Sequence, residues 1–143
     1  MAKDLYDVQL AYNQFTGTIP SLASNELREL SLAANSLTGT IPAALPSTLQ
    51  FLRLSENDLT GTIPPEVATL TDLETFSIHT NRLAGPVPSL IGLTKLTRLL
   101  LHGNALTGPV PAFAASVRFL DTSGTALDSN NGTCNADMVS CLQ

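Results

Sequence analysis

The chain has 143 residues, 43% hydrophobic and 13% charged, with a net charge of -5. That much apolar surface offsets the entropy of ordering one domain and excludes a disordered chain. The seven Lys and Arg are scattered, so no basic stripe exists for nucleic acid, and no apolar run approaches the roughly eighteen residues of a membrane span.

The opening MAKDLYDVQL lacks the apolar stretch of a signal peptide. From Leu5 onward one pattern recurs. The first copy carries Leu5, Val8, Leu10, Asn13, Phe15, Gly17, Ile19 and Pro20, and the second Leu27, Leu30, Leu32, Asn35, Leu37, Gly39, Ile41 and Pro42. The third has Leu49, Leu52, Leu54, Asn57, Leu59, Gly61, Ile63 and Pro64. A fourth reads Leu73, Phe76, Ile78, Asn81, Leu83, Gly85, Val87, Pro88, and a fifth Leu96, Leu99, Leu101, Asn104, Leu106, Gly108, Val110, Pro111. Successive asparagines are 22, 22, 24 and 23 residues apart. A degenerate sixth copy keeps Val117, Leu120 and Leu127 but has Thr122 and Thr125 where an apolar residue and the Asn belong.

A unit this short cannot bury its own apolar side, so successive copies must stack around one shared core. The alternation in LxxLxL predicts a short strand with Leu inward, and stacked copies then form a parallel sheet. An unpartnered buried Asn is costly, so the recurring Asn should bond backbone groups of adjacent turns. Gly suits a close backbone approach, Pro closes the turn, and segments such as PPEVATLTDLE should form short 3-10 or helical turns on the convex side.

The pattern LxxLxLxxNxLxGxIPxxL, over residues 5 to about 127, resembles the plant-specific class of leucine-rich repeats. That class includes the ectodomains of receptor-like kinases and the polygalacturonase-inhibiting proteins, and similar repeats occur in algae and protists. The resemblance implies a right-handed leucine-rich-repeat solenoid over residues 1–127, with five full repeats and a degenerate sixth, and a C-terminal cap over 128–143. It implies noncovalent recognition of a protein or peptide outside the cell, secreted or at the cell surface, without catalysis, cofactor or metal. The family's N-terminal cap with its cysteine pair is missing, as are a kinase and a transmembrane segment. The first apolar layer is therefore expected to face water, as in a piece of a longer protein.

Outward positions of the strands are where such a fold meets a partner. Three columns follow from the repeat: Asp7, Glu29, Phe51, Thr75, Arg98, Phe119; then Gln9, Ser31, Arg53, Ser77, Leu100, Asp121; then Ala11, Ala33, Ser55, His79, His102, Ser123. Tyr12 and Glu56 lie just beyond. Phe51, Phe119 and Leu100 are apolar where the pattern points to solvent, and aromatic or Arg anchors dominate many interfaces. Arg53 and Arg98 offer charge for a carboxylate, or pair with Glu29, Glu56 or Asp121. His79 and His102 fall in one column, about 5 Å apart at normal strand spacing. Two imidazoles without a third ligand are a weak metal site, and the column reads as polar surface. His102, Asp121 and Ser123 resemble a hydrolytic triad on paper only, because an open sheet has no oxyanion pocket.

A second array lies in the LTGTI segments. Thr16 and Thr18, Thr38 and Thr40, and Thr60 and Thr62 should point outward from flank strands in straight rows, about 7 Å along a strand and about 5 Å between strands. Such rows resemble the threonine ladders of ice-binding solenoids, and ice binding is one alternative function, beside inhibition of a cell-wall polysaccharide enzyme. Ala84, Pro86 and Pro109 break the ladder, and Thr also simply suits an exposed strand.

The tail DSNNGTCNADMVSCLQ replaces the repeat with polar turn residues. Cys134 and Cys141 either close it with a disulfide, in an oxidising compartment, or remain thiols. Asn131 begins the one glycosylation sequon, Asn131-Gly132-Thr133.

Overall fold

A computed structural model describes residues 5–22 and 26–128. In chain order the strands are β1 (Asp7–Gln9), β2 (Thr16–Thr18), β3 (Glu29–Ser31), β4 (Ser36–Thr38), β5 (Phe51–Arg53), β6 (Thr75–Ser77), β7 (Ala84–Gly85), β8 (Arg98–Leu100), β9 (Ala105–Pro109), β10 (Phe119–Asp121) and β11 (Ala126–Asp128). One strand per repeat builds a six-stranded parallel sheet in the order β1-β3-β5-β6-β8-β10. Its register aligns Val8, Leu30, Leu52, Phe76, Leu99 and Leu120 as one inward row. The degenerate sixth repeat still supplies β10 and β11, because the sheet needs its apolar Leu120 and Leu127 more than its missing Asn.

The core runs the length of the stack. Leu52, Leu54, Leu73, Phe76, Ile78, Leu90, Leu96, Leu99 and Leu101 have no exposed surface, whereas Leu5 and Phe15 in the first repeat are 54% and 44% exposed. A fully buried Leu contributes about 1.5–3 kcal/mol, so the middle repeats carry most of the apolar stabilisation and the first carries least.

Four consecutive asparagines tie the turns together. Asn81 Nδ2 donates to the carbonyls of Leu54, Ile78 and His79, and its Oδ1 accepts from Leu59 N, each at 3.0–3.3 Å. Asn35 and Asn57 in the two preceding turns and Asn104 in the next one repeat this set. Asn13 has only Leu10 and Ala11 of its own repeat, and Thr125 reaches only Thr122. The residue before each ladder position is left-handed, and at Tyr12, Ala34, Glu56 and Thr80 it is not Gly.

Two expectations need correction. Among the described residues a 3-10 helix forms after one proline pair alone, over Pro65–Thr69. That repeat is the longest, and Pro65 sits in the first turn, where its missing N–H costs nothing. In the second repeat Pro46 interrupts the same stretch, and in the fourth Gly92 weakens it. The flank strands expected at every LTGTI segment form only in part, as β2-β4 and β7-β9-β11. The third repeat lies between them without a strand, held by Asp58 N to Leu37 O and Thr60 N to Gly39 O on one side and Arg82 N to Leu59 O and Ala84 N to Gly61 O on the other. Asn131, Cys134 and Cys141 lie outside the described residues.

The ladder predicts a graded response to truncation. Asn81→Ala strands buried backbone groups from two turns and should destabilise by about 3 kcal/mol, whereas Asn13→Ala, exposed and with two bonds, should stay below about 1 kcal/mol. Urea unfolding of both variants tests this, and equal losses would show that the ladder is not what couples the turns.

Candidate ligand-binding face

The sheet register sets the outward residues in the expected columns. Their depths differ. Ser31, Ser55 and Ser77 are only 4–5% exposed and, with the half-buried Ala11 and Ala33, form a floor of small side chains. Longer side chains rise beside them around a shallow concavity of about 280 Å³ whose lining includes Arg53, Glu56, Thr75, His79, Arg98 and Leu100.

Arg53 Nη1 bonds Glu29 Oε1, and its guanidinium lies 5.1 Å from the centre of the Phe51 ring. Phe51 is therefore half-buried under its own strand's arginine and is not the open apolar contact its pattern suggests. Arg98 stands 5.0 Å from the Phe119 ring, opposite it across the β8–β10 pair, and makes no ion pair among the described residues. Phe119 remains 43% exposed. The two arginines thus differ: Arg53 is neutralised, and Arg98 presents charge beside an open aromatic face. Glu56 and Thr75 border the floor, Glu56 exposed and Thr75 and Leu100 half-buried.

His79 and His102 stack, with ring centres 4.3 Å apart and planes 9° from parallel. His79 Nδ1 lies 3.2 Å from Thr80 Oγ1. His102 Nδ1 lies 3.2 Å from Asp121 Oδ2, at ion-pair distance but without hydrogen-bond geometry, so this buried nitrogen has no hydrogen-bond partner. Asp121 is itself oriented, because Ser123 N donates to its Oδ1 at 2.9 Å. Ser123 of the paper triad bonds Asp121 and makes no hydrogen bond to His102 among the described residues.

On the flank, all six threonines are exposed, but they do not stand in straight rows. The β2–β4 register sets Thr16 opposite Ser36 and Thr18 opposite Thr38, a stagger of two residues from the expected alignment. Glycine explains it. The Thr18 methyl lies where a Cβ on Gly39 would be 2.8 Å away, and the Thr40 methyl does the same over Gly61. Each left-handed glycine thus seats the preceding repeat's threonine, and Thr38 and Thr60 turn their hydroxyls toward the carbonyls of Gly17 and Gly39 at 3.3 Å.

Sequence reasoning placed Tyr12 just beyond the columns, where it is 83% exposed at a left-handed bend, but did not find the serine floor or the Arg98–Phe119 pair. Only the column alignment carries a signal for the pair, since its members are 21 residues apart.

The Leucine Rich Repeat family model matches residues 26–47 and 48–70. Among solved structures, the BIR2 ectodomain from Arabidopsis thaliana is 28% identical over 93% of this chain and 71% of its own, with a TM-score of 0.73. The Arabidopsis BIR3–SERK2 complex matches at 34% identity over 82% of this chain and 66% of that one, TM-score 0.72. The Arabidopsis receptor kinase HAESA, solved with the peptide hormone IDA and the co-receptor SERK1, matches at 33% identity and TM-score 0.82, covering 87% of this chain but 22% of that one. The chain thus spans between about a fifth and seven tenths of these matched chains. No curated protein matches the sequence. No helix among the described residues is long and apolar enough to cross a membrane.

Burial, then the neighbouring His102, hold the His79 imidazole below the ordinary 6.5, against the opposing pull of Glu56 and Asp121. The folded chain therefore binds this proton less readily than the unfolded chain, so stability is fully present above about pH 6.5 and falls as the pH drops below it. Burial pushes the Asp121 carboxyl up, but the Ser123 backbone and hydroxyl bonds, with both histidines, outweigh it and hold it below 3.8. Its contribution is lost only in stronger acid. His79→Gln should flatten the fall in unfolding free energy between about pH 7 and pH 5, and an unchanged slope would exclude His79 as its source.

Proposed function

We propose that this chain, a leucine-rich-repeat protein of the plant type, is an extracellular recognition module that binds a peptide or protein surface on the concave face of its six-stranded sheet. The observation that carries the reading is the Arg98–Phe119 pair: an arginine without a carboxylate partner among the described residues, held over an exposed ring at the edge of a floor of small side chains. Interfaces concentrate their energy in such aromatic and arginine anchors, while small residues let a ligand backbone approach closely. The solved relatives named with a peptide hormone or a co-receptor support ligands of this class.

In this reading Phe119, Arg98 and Leu100 anchor one side of the ligand, and Phe51, Arg53 and Thr75 the other. Glu56, His79, His102 and Asp121 line the rim that reads polar groups. Arg98 donates to a ligand carboxylate or backbone carbonyl, and Phe119 buries an apolar side chain. A polysaccharide-degrading enzyme, as an inhibitor's target, would dock on the same residues. The threonine flank favours a second function less, because the stagger and the carbonyl-directed hydroxyls depart from the flat lattice of donors that ice binding uses.

A random-peptide display library selected on the intact chain tests the proposal. Selected peptides should bind Arg98→Ala and Phe119→Ala at least tenfold more weakly, and Phe51→Ala with Arg53→Ala more weakly by a smaller factor. They should bind Thr38→Tyr with Thr60→Tyr unchanged. Peptides that lose affinity only in the threonine variant would move the site to the flank, and an ice-recrystallisation assay of that variant would then decide the ice-binding reading.

A further inference from the structure

The stacked histidines set two ring edges side by side on the concave face. Their planes are 9° from parallel with centres 4.3 Å apart, so N–H donors on the two outer edges run alongside each other. Among the described residues neither Nε2 has a hydrogen-bond partner, and neither is closed off from solvent. The two Nδ1 atoms meet different groups. His79 Nδ1 lies 3.2 Å from the Thr80 hydroxyl, which as a donor leaves the proton of the neutral ring on Nε2. His102 Nδ1 is buried, lacks a hydrogen bond and stands 3.2 Å from the Asp121 carboxylate, so a proton there gains an ion partner that Ser123 N already orients. A second proton, on Nε2, makes both nitrogens of His102 donors.

We infer that His79 and His102 form a paired donor site for a ligand carboxylate, completed by one proton taken up on His102 opposite Asp121, so that acid strengthens recognition on this face. That the carboxylate belongs to a bound peptide rests on the concave-face reading; the donor pair itself does not. Parallel donors do not meet at one atom, but a carboxylate offers two acceptor oxygens, about 2.2 Å apart. Between them and donors at the 4.3 Å ring separation, each bond leans inward by about 1 Å over a length of about 2.8 Å, which keeps the N–H···O angle at about 150°. The ligand's negative charge then balances the added proton, while Asp121 holds the other side of the His102 ring. His79 also faces Glu56 from the preceding turn and Asp121 from two turns on. Burial and His102 outweigh both and hold its imidazole below the ordinary 6.5, which keeps it the neutral member of the pair. Glu56 makes no ion pair with His79 among the described residues and leaves the donor edge free. Arg53 and Arg98 line the same concavity, and Arg53 is already bonded to Glu29.

Sodium acetate is the probe, so the test stands apart from any peptide. Titrated into the intact chain at pH 6, at ionic strength held constant with sodium chloride, it should shift the Nε2 resonances of both histidines together. Its affinity should fall at least tenfold from pH 6 to pH 8, as uptake of one proton requires. His79→Phe and His102→Phe, which keep a stacked ring, should each weaken acetate about tenfold at pH 6, and the second should also abolish the pH dependence. Without acetate at pH 8, nitrogen-15 shifts of the wild-type chain should show His79 with its proton on Nε2 and His102 with its own on Nδ1, a readout that needs no variant. In a peptide selected on the face, either amidating the C-terminus or changing Asp and Glu to Asn and Gln should abolish the gain in affinity at acid pH, which names the carboxylate. Nε2 resonances that acetate does not move, binding that is flat in pH, affinity that survives both phenylalanine variants, or a peptide's acid gain that survives both changes would overturn the inference. Acetate binding as expected with no peptide selected would count against the recognition function alone.

Discussion

The asparagine side chain at the turn after each strand is the constraint on which the stack depends. It satisfies carbonyls of its own turn and the previous one while accepting a backbone N–H from that previous turn, so it replaces bonds that neither turn can make internally. Because the turns are irregular backbone inside a buried stack, their polar groups have no other outlet. Hydrophobic burial brings the repeats together, but the amide fixes the offset between them. That offset sets the row register of the sheet and hence which outward residues become neighbours.

Where a residue type answers a constraint that recurs every turn, the sequence was legible. The inward row from Val8 to Leu120, the ladder at Asn35, Asn57, Asn81 and Asn104, and the left-handed glycines all follow from one repeat read five times. The expected straight threonine rows failed because period-two alternation describes one strand and says nothing about the slip between strands. That slip is set by Thr18 packing over Gly39, a contact across 21 residues. The helical turns failed similarly, since Pro46 and Gly92 act locally against a motif that Pro65 permits.

The candidate face was legible as a set of positions but not as a set of interactions. Columns could place Arg53 and Arg98 on one surface, yet only side-chain geometry separates the arginine bonded to Glu29 from the one lying over Phe119. The serine floor had the same origin. Ser31, Ser55 and Ser77 occupy outward positions, but taller neighbours shelter them, and shelter depends on rotamers that repeat spacing does not encode.

The bend before each ladder position ends in a left-handed residue, and Tyr12, Ala34, Glu56 and Thr80 accept that conformation with a side chain attached, at about 1–3 kcal/mol each. The ladder holds the bend whatever the residue there, so strain and identity are separated. The frame is tighter at Gly103, where a Cβ would come within 3.3 Å of the Thr80 backbone. Successive turns of one chain thus carry an aromatic ring, a methyl, a carboxylate, a hydroxyl and a bare glycine at the same bend, and the rim changes its chemistry along the stack while the frame beneath it stays the same.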